Sequence, residues 1–544
     1  MQVLRNRHYW ILLGILLVAA WLRFVGLGHK CLWNDEALSW RLVTFPSVEL
    51  IARTGQERTV HPPLYFLCLR FLTIFAGDSE FAMRSFSAVC GILTVFGTYW
   101  LIRALEPFSS PAVLQQTRPS LRWAALLATA LVALSILQIH AAKQVRNYSL
   151  GSLLTVCSGW ALLHALAAQK RAGGYWCGYL LSALALCYTH YVGLFTVTAQ
   201  LAFGWSYLRF RHRTPVVLPS QAAPQSASLG VPTATSSCLP TAQYQSRWML
   251  VVSLGILLGY LCWVPQLVGQ AVGTNKSWRS PLTPDALPEQ TGTALCSTFA
   301  TFEVPDPVVG WIVTAGLLAT MGFLVVRCTW ADWFLVATGL LPVVLILLYT
   351  LLTDNNLYHA RYLTFAQLSW LASIAVAICA LRPIVSTFLA CQLLVFGILC
   401  WSNTWELLGP AANSGMRGAA EHIRQHRKTG EPIVALSPFD FYKSAYYLQG
   451  DAPPLLCVST LPRGISSHQK REDLTTPDLL LNARDFPGIW LMSSRSYNPG
   501  LIVRFPLPAN WKLVHGVEFE QDYPRELPIL VEYYQVENES AENP

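Results

Sequence analysis

Residues 333–352 read WFLVATGLLPVVLILLYTLL, twenty consecutive residues without a charge. At about 1.5 Å of rise per residue, a helix of that length spans roughly 30 Å, the thickness of a bilayer's hydrocarbon core. Ten further apolar blocks flank it, at 9–27, 85–102, 123–139, 150–166, 175–187, 192–208, 248–272, 308–326, 363–381 and 384–400. The composition agrees: 53% of the 544 residues are hydrophobic and 12% are charged, against about 25% charged in soluble domains. These blocks predict an all-α polytopic membrane protein with about 11 transmembrane helices over residues 1–403.

The formal charge of +8 does not mark a nucleic-acid partner, because the basic residues lie beside the ends of the blocks and form no stripe or face. They mark topology instead. If the spans alternate, Arg5 and Arg7, Arg103, Arg118 and Arg122, Lys170 and Arg171, Arg209 to Arg247, Arg327 and Arg382 share one side, which predicts that side to be cytoplasmic. The short block at 175–187 must then span, since basic clusters flank the pair it forms with 192–208. The N-terminus is expected in the cytoplasm, and the 28–82 loop and residues 411–544 outside, in a multi-pass protein of the plasma (inner) membrane surrounded by lipid. The basic-then-apolar start resembles a signal peptide, but its apolar block runs to 19 residues without a convincing small-residue cleavage site, which predicts a retained helix. Most of the 14 cysteines stand singly within apolar blocks, without CxxC or Cys/His spacing, and read as small buried hydrophobes.

Two segments lack membrane texture. Residues 214–246 are rich in Ser, Thr, Ala, Pro and Gln, a composition that buries too little apolar surface to offset ordering entropy and predicts a flexible cytoplasmic linker. Residues 411–544 predict a small soluble α/β domain, with helices at 416–428 and 441–448 and strands at 432–437, 488–492 and 529–534. It carries no nucleotide-binding glycine fingerprint. Its expected role is to cover an outer cavity and help select an acceptor.

Chemistry concentrates in the outer loops. Asp35 and Glu36 are adjacent carboxylates just past the first block; one can accept a proton while the other orients it, or Asn34 and Asp35 can simply cap an interfacial helix. His61 precedes Pro62 and Pro63, which fix φ and open a helix, so its imidazole stands at a helix N-terminus, where anions are favoured. Arg146 with Tyr148, and Arg361 with Tyr362, place guanidinium forks on the same side; they suit phosphate oxygens, or snorkel to the interface. Outer-face carboxylates together with outer-face arginines suit a reaction on a lipid-linked phosphate.

At these residues the chain resembles the bacterial relatives of the dolichyl-phosphate-mannose protein mannosyltransferases, glycosyltransferase family 39, which have the C-type glycosyltransferase fold. The resemblance is carried by Trp33-Asn34-Asp35-Glu36-Ala37, His61-Pro62-Pro63-Leu64-Tyr65, Ala82-Met83-Arg84-Ser85-Phe86-Ser87-Ala88 and Arg146-Asn147-Tyr148-Ser149-Leu150, with Thr189-His190-Tyr191 also fitting. Order and spacing match over residues 21–208, and beyond them the later spans and the C-terminal domain agree only in layout and in Arg361-Tyr362.

The resemblance implies transfer of a sugar from a polyprenyl-phosphate donor to an acceptor hydroxyl on the outer face, usually with inversion. It implies Asp35 as general base with Glu36 in support. His61, Arg84, Arg146, Tyr148, His190, Tyr191, Arg361 and Tyr362 are the expected substrate-binding residues, with the two outer arginines on the departing phosphate. The acceptor could be a protein, a lipid or a polysaccharide. Relatives that transfer aminoarabinose to lipid A have an acidic residue and a lysine before the paired prolines, where this chain has Val60 and His61, which argues against lipid A. No cofactor and no metal are expected to be required, although Asp35, Glu36 and His61 could gather a divalent cation. The competing expectation is a non-catalytic membrane transporter or lipid-binding scaffold, since buried charges in helix bundles also mark substrate pathways.

Overall fold

The computed structural model describes residues 2–55, 61–109, 111–168, 172–211, 239–273, 282–296, 307–353, 355–405, 409–450, 453–458, 471–482, 486–494, 507, 511–522 and 527–536. Helix α1 (Gln2–Phe24) leads into a segment that folds as α2 (Asn34–Val43), α3 (Ser47–Gly55) and α4 (Leu64–Ala76). Then follow α5 (Glu80–Arg103), α6 (Pro111–Leu134), α7 (Ile136–Ala142), α8 (Tyr148–Ala167), α9 (Gly173–Cys187) and α10 (Val192–Phe210). The helical part ends with α11 (Leu239–Leu261), α12 (Val264–Gly273), α13 (Ala286–Cys296), α14 (Pro307–Arg327), α15 (Trp330–Thr353), α16 (Thr364–Cys379) and α17 (Pro383–Asn403).

Every apolar block of the sequence falls on one of these helices or on a bent pair. By length and apolarity six helices suffice to cross a membrane, and eight spans result if each bent pair is one. The remaining three blocks lie on α9, α10 and α16, of 15, 19 and 16 residues. The chain is a multi-pass membrane protein.

The block at 123–139 is not one straight helix. It breaks between α6 and α7 with a bend of 59°. A break inside an apolar stretch leaves carbonyls without their helical donors, and lipid supplies none. Arg23, fully buried near the end of α1, donates from Nη2 to Val132 O (3.2 Å) and from Nη1 to Ala133 O (3.1 Å), satisfying two of them. On the far side of the break the Ser135 hydroxyl caps α7 by accepting from the Gln138 N–H.

Two loop expectations change. Of the expected linker, residues 214–238 lie outside the described residues, while 239–246 belong to α11. Gln245 explains why: its carboxamide is buried, donates to Leu166 O and Ala168 O at 2.8 and 3.0 Å, and accepts from Arg211, so these turns are anchored to the end of α8. The outer loop at 273–306 likewise contains α13, with 274–281 and 297–306 outside the described residues.

The C-terminal part holds α18 (Gly415–His426), β1 (Ile433–Ala435), α19 (Pro438–Tyr447), β2 (Leu455–Cys457), β3 (Leu474–Thr475), α20 (Pro477–Asn482), β4 (Gly488–Ser494), β5 (Trp511–Phe519) and β6 (Ile529–Val536). The sheet order is β3-β2-β1-β4-β6-β5. Its first three pairings are parallel and its last two antiparallel. The sequence reading finds β1, β4 and β6 but not β2, β3 or β5. The first two of these are only three and two residues long, and β5 is an edge strand exposed along most of its length and irregular between Leu513 and His515. One apolar cluster joins Leu32, Trp40, Leu69 and Val145 to Met416, Phe441, Tyr447 and Trp490, so the sheet part sits on the segment that carries α2.

Candidate active site

Helix α2 starts after Trp33, whose N–H is accepted by the Glu36 carboxylate at 3.3 Å. The capping position therefore belongs to Trp33, and Asn34 and Asp35 lie in the first turn. Glu36 is completely buried and its two oxygens accept four donors: Arg84 Nε (2.9 Å) and Val145 N (2.8 Å) on Oε1, Arg84 Nη2 (2.5 Å) and Trp33 N on Oε2. Arg84 comes from the N-terminal part of α5. Its other N–H groups reach Leu27 O, Lys30 O and Cys31 O at 3.0, 2.8 and 3.0 Å, so all five donors of this buried guanidinium are used inside the protein. Bidentate geometry with every lone pair satisfied is what a buried ion pair needs to offset its desolvation.

Asp35 points the other way. Its side chain is 30% exposed, and its Oδ2 lies 3.6 Å from Arg146 Nη2. Arg146 is buried in the turn between α7 and α8, and the same Nη2 donates to His61 Nε2 at 2.6 Å. A guanidinium only donates, so His61 Nε2 carries the lone pair and Nδ1 the proton. Pro62 and Pro63 lead into α4, and the Leu64 N–H bonds to Tyr188 O at 3.0 Å, which brings the His61 corner beside the α9–α10 turn. Asn147 Nδ2 donates to Thr189 O at 2.7 Å and ties the Arg146 turn to the same place.

His190 stands at the centre of this gathering. Its ring centroid is 5.2 Å from that of His61, 5.6 Å from Tyr148 and 5.7 Å from Tyr362. The Val192 N–H bonds to His190 Nδ1 at 3.1 Å, so the proton is on Nε2, which has no hydrogen-bond partner among the described residues. Burial, with Arg146 and Arg361 nearby, pushes the His190 imidazole down to about 3 and keeps it neutral.

Arg361 sits in a single 3₁₀ turn, Ala360–Tyr362, capped by His359 and fixed from both sides. The Ala360 N–H bonds to Gln290 Oε1 of α13 at 2.9 Å, and the Thr364 hydroxyl to Arg361 O at 2.7 Å. Burial opposes the charge on both arginines. Asp35 and Tyr148 outweigh it at Arg146, and Tyr148, Tyr362 and Asp35 do so at Arg361, so both guanidiniums hold their protons more tightly than usual.

Asp35, His61, Arg146, Tyr148, His190, Arg361 and Tyr362 thus share one site at the N-terminal ends of α2, α4, α8, α10 and α16. Two residues grouped with them in the sequence lie elsewhere. Arg84 is held on Glu36, and the Tyr191 hydroxyl turns away to Gln270 Oε1 (2.5 Å), where it also accepts from Trp263 Nε1 (3.2 Å). Lys143, four positions before Asn147, bonds to Val25 O; burial and neighbouring Lys30 and Arg84 lower its ammonium to about 7. Sequence reasoning missed Gln290, which lies in a segment without motif or periodicity. It also missed Arg23, whose signal was present as a charge inside an apolar block. Among the described residues, no three His, Cys, Asp or Glu side chains gather so as to hold a metal ion.

No protein-family model matches the chain, and no curated protein matches it. Among solved structures, ArnT from Cupriavidus metallidurans in the apo state is 12% identical and superposes with a TM-score of 0.57, over 97% of this chain and 98% of that one. The same protein bound to undecaprenyl phosphate is also 12% identical, with a TM-score of 0.51 over 96% and 98% of the two chains. Agreement along nearly the whole of both chains at so low an identity is agreement of fold. The chain has the C-type glycosyltransferase fold, a bundle of membrane helices followed by an α/β part.

Proposed function

We propose that the protein is a membrane glycosyltransferase. In this reading it moves a sugar from a polyprenyl-phosphate donor to an acceptor hydroxyl of a protein, lipid or polysaccharide on the extracytoplasmic face. The observation that carries the proposal is the meeting of a partly exposed carboxylate, Asp35, with the buried guanidinium of Arg146 at 3.6 Å. Arg361 and the neutral His190 complete that wall of the site. The shared fold lends further support, since ArnT has been solved with undecaprenyl phosphate bound.

The chemistry needs a base at one end and an anion clamp at the other. Asp35 takes the proton of the acceptor hydroxyl as that oxygen bonds to the anomeric carbon from the side opposite the phosphate, so the configuration inverts. The bond from the anomeric carbon to the phosphate oxygen breaks, and its electron pair leaves with the phosphate. Arg146 and Arg361 hold that growing negative charge, so their contribution is largest in the transition state. His190 Nε2–H and the Tyr148 and Tyr362 rings line the pocket for donor or sugar. Glu36 and Arg84 touch no substrate in this scheme; they position α2. Two buried guanidiniums already supply the positive charge that a divalent cation would bring, so chelation by EDTA should leave the transfer rate unchanged.

The deciding experiment follows sugar transfer from radiolabelled polyprenyl-phosphate sugars by the purified protein in lipid, with Asp35→Asn compared at matched folding and donor binding. Transfer should fall by roughly 10²–10⁴-fold while donor binding persists. Equal rates in the two proteins would move the base elsewhere. Absence of donor binding in both would favour a transporter or scaffold.

A further inference from the structure

The short run from Lys30 to Trp33 joins α1 to α2, and its backbone is gripped from three directions. Arg84 of α5 holds the carbonyls of Lys30 and Cys31. Glu36 holds the Trp33 N–H. Between them, the Leu32 N–H donates to the hydroxyl of Tyr447 at 2.8 Å, and Tyr447 is the last residue of α19 in the C-terminal part. That hydroxyl has one proton, which it gives to Glu80 Oε1 at 2.9 Å. Arg417 of α18 donates to the same oxygen at 2.7 Å and also reaches His29 O at 3.2 Å.

The far end of α2 is held by the same neighbour. The Trp40 ring meets Tyr446 edge to face at 5.2 Å, while its Nε1 donates at 2.8 Å to Asp78 Oδ2 of the turn between α4 and α5. Arg41 pairs with Asp473. One side of α2 thus presents Asp35 to Arg146, while the C-terminal part touches the run before the helix at Leu32 and its far end at Trp40 and Arg41.

We propose that Tyr447 is a positioning residue for Asp35, and that the C-terminal α/β part is a working component of the site because it sets the register of α2. The role assigned to Asp35 rests on the glycosyltransferase reading above. Leu32 is three positions before Asp35, so a shift there is passed directly to the carboxylate. A displacement of about 1 Å of a catalytic group can cost on the order of a hundredfold in rate.

The test is Tyr447→Phe, which keeps the ring in its apolar surroundings and removes both hydrogen bonds of the hydroxyl. The expected result is a roughly 10- to 100-fold fall in kcat, with KM for the polyprenyl-phosphate sugar changed by less than about twofold because Arg146 and Arg361 are untouched. Glu80→Gln keeps an oxygen that can accept from Tyr447, and its loss should be smaller. Amide hydrogen exchange provides a readout that needs no sugar transfer: exchange across residues 32–43 should quicken in Tyr447→Phe while that of α8 stays as in the wild type.

Unchanged kcat with unchanged exchange would overturn the proposal. So would kcat, KM and melting temperature falling together, which would mark a general loss of structure. If the wild-type protein transfers no sugar, the glycosyltransferase reading fails on its own, and the exchange measurement still decides whether Tyr447 positions α2.

Discussion

Asp35 and Glu36 are separated by one position and therefore by about 100° around α2, which directs one carboxylate to Arg146 and the other into the protein. Removing the negative charge of Glu36 strands Arg84, a buried cation whose carbonyl partners cannot neutralise it. Glu36→Gln should cost about 3–5 kcal/mol of stability, seen as a lower melting temperature in detergent; a normal melting curve would sink this assignment. Asp35→Asn should leave the melting curve near wild type, because the cap of α2 is made by Glu36 on Trp33. The sequence shows that the two acids are adjacent and lie near a membrane. It does not show which of them faces inward, because that depends on Arg84 and Val145, 48 and 109 positions away. The same holds for Arg84: a guanidinium beside an apolar block looks the same in sequence whether it awaits a phosphate or already holds a carboxylate.

At the level of elements, apolar runs long enough to cross lipid identify the helices whether or not their ends are known. Breaks within them are less visible. Nothing in the composition of 123–139 separates α6 from α7, since the break is made tolerable by a side chain from α1. Short or exposed strands are equally hard to see, and β5 illustrates what they carry. His515 on β5 lies with Nε2 3.0 Å from Nε2 of His422, and His426 stacks one turn further along α18. Burial, His426 and His515 together lower the His422 pKa from 6.5. A histidine whose folded pKa is depressed binds its proton better when unfolded, so this contact supports the fold above pH 6.5 and its contribution is lost as pH falls below that value. Thermal unfolding between pH 5 and 7.5 should show the C-terminal part weakening on acidification, and His515→Gln should flatten the dependence. A slope identical to wild type in that variant would remove the histidine pair as its cause.

For the whole molecule, the sequence separates a helical part from an α/β part by texture alone. It puts the second on the same side as the segment bearing Asp35 and has it cover a cavity there, but it does not show the contact itself, which is built from scattered residues such as Leu32, Trp40, Glu80, Met416 and Tyr447. That contact is also why the 28–82 loop does not behave as an independent loop: its helix α2 packs between α4 and α19 of the C-terminal part. A surface that selects an acceptor and a strut that aims the proposed base can therefore be the same part of the chain.

The arginine that satisfies the broken helix has a consequence for how the protein is made. Arg23 leaves the ribosome about 110 residues before Val132 and Ala133, the carbonyls it will serve. At a synthesis rate of about 5–20 residues per second, that is a delay of roughly 5–20 s, during which a cation at the end of α1 has Ala19 O of its own helix but neither of the α6 carbonyls. Arg23→Leu should accordingly insert better as an isolated α1 segment and yet give a full-length protein that is less stable, with α6 and α7 poorly joined. Equal insertion of the two segments in a translocon assay would show that the waiting charge is no burden. Otherwise, early membrane integration and final packing pull on this one residue in opposite directions.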